Sequence, residues 1–158
     1  MRIPTRRLLT ALTALTLAAS LLPVASRPVA ARDGWELVTI ANRYRDDAGV
    51  GPVRLKAAID QIAVERGNQL AAARQLGHDF DYVIARLAQE GVCWEQLGEI
   101  VAWNTASASE RLERFMSQWY NSAPHREIML SRGFRRAGVG VRRASHACYV
   151  TADFASRR

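Results

Sequence analysis

The chain has 158 residues, 22 lysine or arginine against 15 aspartate or glutamate, 49% hydrophobic residues and two cysteines. That mixture is too apolar for a disordered chain and too poor in cysteine for a disulfide-built miniprotein, and no fixed-period repeat marks a solenoid. One domain with one core remains.

Residues 1–31 have the layout of a secretory signal: a basic start at Arg2, Arg6 and Arg7, an apolar run from Leu8 to Leu22, then small residues from Pro23 to Ala31. The run is 15 residues long and contains three threonines and a serine, short of the roughly 18 that a membrane-spanning helix needs. Cleavage after Ala31, with Val29 and Ala31 at the small-residue positions, leaves residues 32–158 as a single domain without a stable membrane span. Its expected location is secreted, periplasmic or associated with the cell wall.

Asp33-Gly-Trp-Glu36 reads as a capping box, and Leu37, Ile40, Ala41 and Tyr44 follow at the i, i+3, i+4, i+7 spacing of a half-buried helix that ends at Gly49-Val-Gly-Pro52. A second helix is expected from Leu55 to Gln75, with Ile59, Ile62, Ala63, Leu70 and Ala73 inward and Gly77 as its stop. A short helix from Tyr82 to Gln89 is broken by Gly91. Trp94 to Trp103 reads as a strand containing Glu99. Ser107-Ala-Ser-Glu110 is a second capping box, before a helix with Leu112, Phe115, Met116 and Trp119 on its buried face. Ser122 and Pro124 start a short helix carrying His125. A hairpin closes the chain, with arms Ala137 to Arg143 and Ala147 to Phe154. This order predicts an α+β layered domain rather than a doubly wound βαβ fold.

Cleavage would remove four arginines and no acids, so the net charge falls from +7 to +3. The rest is uneven: residues 126–158 hold eight arginines against Glu127 and Asp153. Without interleaved aromatics or a reader motif this basic region does not point to nucleic acid; it suits anionic wall polymers or lipid headgroups, or is simply a solvated face. Outside the cytoplasm the two thiols are expected to pair, Cys93 with Cys148, closing a loop of about 56 residues worth roughly 4 kcal/mol in the chain-entropy account.

His78, Glu99, Ser122 and His125 each fall at an edge of a regular element, where side chains converge in clefts. A Ser122/His125 nucleophile pair would lack the Gly-x-Ser-x-Gly elbow, and a capping serine spends its oxygen on backbone amides.

Asn42-Arg-Tyr-Arg45, Ala48-Gly-Val-Gly-Pro52, Gly77-His78, Leu97-Gly-Glu-Ile-Val-Ala102, Trp119-Tyr-Asn-Ser-Ala-Pro-His125, Ala137-Gly-Val-Gly-Val141 and Tyr149-Val-Thr-Ala-Asp-Phe154 occur in order over the mature chain. The ordered set resembles the CAP/SCP-like superfamily (cysteine-rich secretory, antigen 5 and pathogenesis-related domains), in its minimal bacterial branch. The resemblance implies an α-β-α sandwich with a small antiparallel sheet, and a central cleft on His78, Glu99 and His125, whose two neutral imidazoles and one carboxylate are the ligand set of an open zinc site. No His-Glu-x-x-His helix is present, and Glu99 as a ligand leaves no second carboxylate as general base. Ile100 stands where the family's Gly-Glu-Asn motif has asparagine, and Ser122 where its Trp-Tyr-x-Glu pattern has a second glutamate. The resulting expectation is an extracellular binding module, with zinc or another divalent cation as a possible occupant of the cleft. The alternatives are a metal-assisted hydrolase of wall or peptide substrates, and a small lipid or sterol carrier.

Overall fold

The computed structural model describes residues 29–156. They form α1 (Val29–Asp47), β1 (Arg54–Leu55), α2 (Ala57–Ala73), α3 (Phe80–Gln89), β2 (Leu97–Asn104), α4 (Arg111–Asn121), α5 (Ala123–Met129), β3 (Phe134–Ala144) and β4 (Ala147–Ser156). The expected export signal lies outside the described residues, apart from the first turn of α1.

Because α1 begins at Val29, Asp33 lies inside the helix rather than at its cap. Its carboxylate has found a tertiary partner instead: Oδ2 accepts from Arg111 Nη2 at 2.6 Å and ties α1 to the start of α4. The apolar spacing behaves as expected, with Leu37, Ile40 and Ala41 buried. Leu55, expected in the second helix, pairs with Ala137 in the two-residue strand β1, and extended Lys56 separates that strand from α2. α2 ends before Gly77, at Arg74, which takes the left-handed conformation at φ 52° and donates its N–H to the Leu70 carbonyl. α3 is capped by Asp79, whose Oδ1 accepts from the Tyr82 amide at 3.0 Å. Ser107 does not cap α4; its hydroxyl bonds the Glu110 carboxylate at 2.8 Å.

The strands form one sheet in the order β1-β3-β4-β2. β4 pairs antiparallel with both neighbours, whereas β1 joins β3 in parallel, so the sheet is mixed rather than antiparallel throughout. Cys148, Val150, Ala152 and Phe154 of β4 share a core with α1 and with Leu112, Phe115, Met116 and Trp119 of α4. Tyr149 and Ala155 pack with residues of α2 and α3 on the other face. Two helical layers thus enclose the sheet, the expected α-β-α sandwich. Every β4 residue from Cys148 to Ser156 is buried, so the alternation that sets Thr151 and Asp153 opposite Cys148, Val150, Ala152 and Phe154 is covered on both faces.

Gly138 and Gly140 let α2 lie directly on β3. A Cβ at Gly138 would collide with the backbone of Ile59 and Asp60, and one at Gly140 with the carbonyl of Ala63. That close seat brings the C-terminal half of α2 over β4 and β2, and with it the side chain that organises the site below.

The Cys93–Cys148 disulfide does not form; both thiols are free, Cys93 exposed and Cys148 buried. The fold separates them. Arg136 donates to the carbonyls of both Cys93 and Ser156, placing Cys93 beside the last residue of β4. Cys148 lies eight residues back along that strand, a span of about 26 Å at the rise of a β-strand, against the roughly 7 Å that a disulfide tolerates between Cα atoms.

Candidate functional site at the edge of the sheet

Glu99 is in edge strand β2, on the face covered by α2, and its side chain is wholly buried. Both carboxylate oxygens are committed. Oε1 accepts from Arg66 Nε at 2.8 Å and Oε2 from His78 Nδ1 at 2.8 Å. An ionised carboxylate oxygen can only accept, so Nδ1 donates to it, and Nε2 makes no hydrogen bond among the described residues. Arg66 is itself buried in α2; its remaining nitrogens donate to Gln69 Oε1 and to the carbonyl of Gly77, each at 2.6 Å. The Gly77 bond anchors the residue that immediately precedes His78. The His78 ring stacks on exposed Phe80, with centroids 5.8 Å apart, and its side chain is 44% exposed. A buried ion pair therefore presents one oriented imidazole to the surface.

His125 arrives from α5, in the opposite helical layer, and is half-buried. Burial, followed by the influence of His78, holds it below the usual histidine value. Ser122 joins α4 to α5. Its backbone occupies the cap position of α5, but its side chain makes no capping bond, so the hydroxyl is not spent on the amides as expected. No hydrogen bond links it to His125. Among the described residues no group of three His, Cys, Asp or Glu side chains is disposed to hold an ion. The reason is local. Arg66 and His78 occupy the Glu99 oxygens, leaving the two imidazoles without a carboxylate ligand.

Two residues of this cluster escape a reading that looks only for reactive side chains. Arg66 falls in the stripe Ile59, Ile62, Ala63, Arg66, Leu70 of the buried face of α2; a charge at a core position was the signal. Asp153 is paired across the sheet with Glu99 and is fully buried, and neither of its oxygens has a hydrogen-bond partner. Burial and then Glu99 push its carboxyl well above the ordinary carboxylate range, with Arg66 opposing. The alternation in β4 placed Asp153 away from Phe154 but could not show that both faces are covered.

Residues 38–154 match the CAP family, described as the cysteine-rich secretory protein family. The chain belongs to this family. Solved structures share the fold: an outer surface protein of Borrelia burgdorferi at 17% identity and TM-score 0.70, covering 80% of this chain and 94% of that one. An SCP-domain extracellular protein of Bacillus anthracis matches at 19% identity and TM-score 0.69, over 87% of this chain and 44% of that one. A cysteine-rich secretory protein of Staphylococcus aureus matches at 19% and 0.68, over 84% and 41%. The chain thus spans less than half of the last two. No curated protein sequence matches it. These relatives are extracellular or surface proteins, and no helix among the described residues is long and apolar enough to cross a membrane.

Proposed function

We propose that this CAP domain, exported by residues 1–31, is an extracellular binding module whose contact edge is formed by His78 and His125, with Ser122 beside them. One observation carries this reading: both oxygens of Glu99 are spent on orienting Arg66 and His78. A carboxylate so held fixes a ring but is not free to take a proton from water or substrate. Ser122 likewise has no bonded base to activate it. The core cavity next to α1 lends the lipid-carrier alternative no support. The apolar cavity between Leu37, Trp119, Met129 and Phe154 amounts to about 10 Å³, hardly space for one water.

A second reading draws on Nε2 of His78. A histidine that donates its other ring nitrogen to a carboxylate is the usual metal-binding arrangement, and His125 would supply a second nitrogen. In that case Glu99 orients a ligand rather than being one, and water or the bound partner completes the coordination.

Sedimentation with an insoluble bacterial cell-wall preparation tests the binding role, beside His78→Ala and His125→Ala and with product release followed in the same tubes. The expected result is binding that either substitution weakens about tenfold or more, without turnover. Product release that His125→Ala abolishes would overturn it in favour of the hydrolase. Calorimetric titration with zinc alone separates the second reading: 1:1 binding lost in His125→Ala supports a cation at the imidazole pair, and no heat removes it.

A further inference from the structure

A broad concavity lies away from the histidines. It lies at the other end of α2, where β1, the first turn of α2, the segment after α3 and the start of β3 enclose about 1160 Å³. α2 separates it from the C-terminal end that leads to His78 by 17 residues, about 25 Å of helix.

Four cations line this groove: Arg54, Lys56, Arg135 and Arg136. Among the described residues none of them forms an ion pair. The one acid in the lining, Glu90, is already bonded to Arg86, 3.2 Å from Nη2. Arg136 donates to the backbone carbonyls of Ser156 and Cys93, and Arg135 to those of Arg132 and Phe134; these bonds fix the guanidinium groups without neutralising them. Arg54 and Arg136 are moreover direct partners in the parallel pairing of β1 with β3, a juxtaposition of like charges that works against the sheet. Arg135 is felt as far as buried Arg45, which burial and then Arg135 hold below its ordinary value. The fold thus concentrates positive charge where nothing in the described chain offsets it.

The lining also narrows the ligand. A volume above the roughly 300–1,000 Å³ of small-molecule pockets suits a length of polymer. No aromatic side chain lines the groove to stack a base. The exposed large apolar residues Trp35, Leu76, Phe80, Ile84, Trp103 and Tyr120 all lie elsewhere, so the groove offers a bilayer nothing to insert. Planar guanidinium forks match the oxygens of phosphate in two-point contacts.

We propose that this groove is a second binding site, independent of the histidine edge, that takes a phosphate-bearing anionic polymer without bases through Arg54, Lys56, Arg135 and Arg136. Such a ligand would relieve the Arg54–Arg136 repulsion as it binds.

The test uses sodium polyphosphate as probe, with the protein at low and moderate salt. Arg54 and Lys56 are exposed and make no side-chain hydrogen bonds, so Arg54→Gln/Lys56→Gln should fold, with a Tm equal to or above that of the parent. Its affinity for polyphosphate should fall about tenfold or more, with a shallower salt dependence, while a matched loss of two exposed charges elsewhere, Arg114→Gln/Arg143→Gln, changes it less than about twofold. Polyphosphate should also slow alkylation of Cys93, an exposed thiol in the groove lining, while Cys148 is buried. Equal losses in the two double variants, unprotected Cys93, or tighter binding to phosphatidylglycerol vesicles or oligothymidylate at equal phosphate would each overturn the proposal. Binding to inorganic phosphate as tight as to the polymer would overturn its polymeric part. His125→Ala leaves this binding unchanged, which keeps the two sites distinguishable.

Discussion

Among the described residues two arginines are buried, and the fold treats them in opposite ways. Arg45, at the end of α1, is fully buried and meets no acid. Its guanidinium donates to the carbonyls of Gly51, Met129, Ser131 and Phe134 and so knots α1 to the following loop, to the end of α5 and to the start of β3. Arg66, equally hidden, is neutralised by Glu99, and the pair ends at a half-exposed imidazole. Spreading a buried charge over neutral carbonyls makes a structural knot with nothing to offer outside. Closing it against a carboxylate whose second oxygen points to the surface makes a site.

The contrast can be broken most severely at Arg45. Arg45→Met strands four carbonyls that the fold has already withdrawn from water, and no partner substitution can restore them. The expected loss is about 4 kcal/mol or more, read as a reduced midpoint in urea. A near-normal midpoint would mean that water replaces the guanidinium and that the knot is not structural.

Arg66 should behave differently because its loss can be compensated. Arg66→Met alone leaves Glu99 buried beside Asp153 without a counter-charge, at a cost of about 3 kcal/mol. Adding Glu99→Gln removes the stranded charge, so the double variant should recover at least about 1 kcal/mol of that loss while His78 loses its fixed orientation. Additive losses in the cycle would show that the two groups do not act as a pair.

Asp153 sharpens the comparison with the smallest effect. Its carboxyl stays protonated in the fold over a range where the unfolded side chain, with a value of about 3.9, has ionised. The folded state therefore binds the extra proton, and this contribution to stability is present in full below about pH 4 and is lost as pH rises through the raised folded value. Asp153→Asn has no proton to lose. Its Tm should hold steadier between pH 5 and 8 than that of the parent, measured by thermal unfolding at matched ionic strength. Parallel curves would show that Asp153 does not carry the pH dependence.

Much of this was legible in the chain itself. The stripes of α1 and α4, the hairpin of β3 and β4, and the positions of His78, Glu99 and His125 follow from local periodicity and motif, because a 3.6-residue or two-residue spacing is written in neighbouring side chains. The errors share a cause of their own. Asp33 looked like a cap until Arg111, 78 residues on, claimed its carboxylate. Leu55 looked helical because only β3 could tell it to pair. Cys93 and Cys148 looked like partners because compartment and count say nothing about which end of β4 each one reaches. Arg66 passed unread because nothing local to Glu99 announces that a residue of another element will occupy one of its oxygens.

The sequence by itself determined the family and the layered α+β plan. Tertiary structure alone decided what His78, Glu99 and Arg66 are free to do. Hydrogen-bond capacity is finite, so the role of a carboxylate or an imidazole depends on which partners arrive first. Those partners come from distant segments, brought together only when α2 settles onto the glycines of β3.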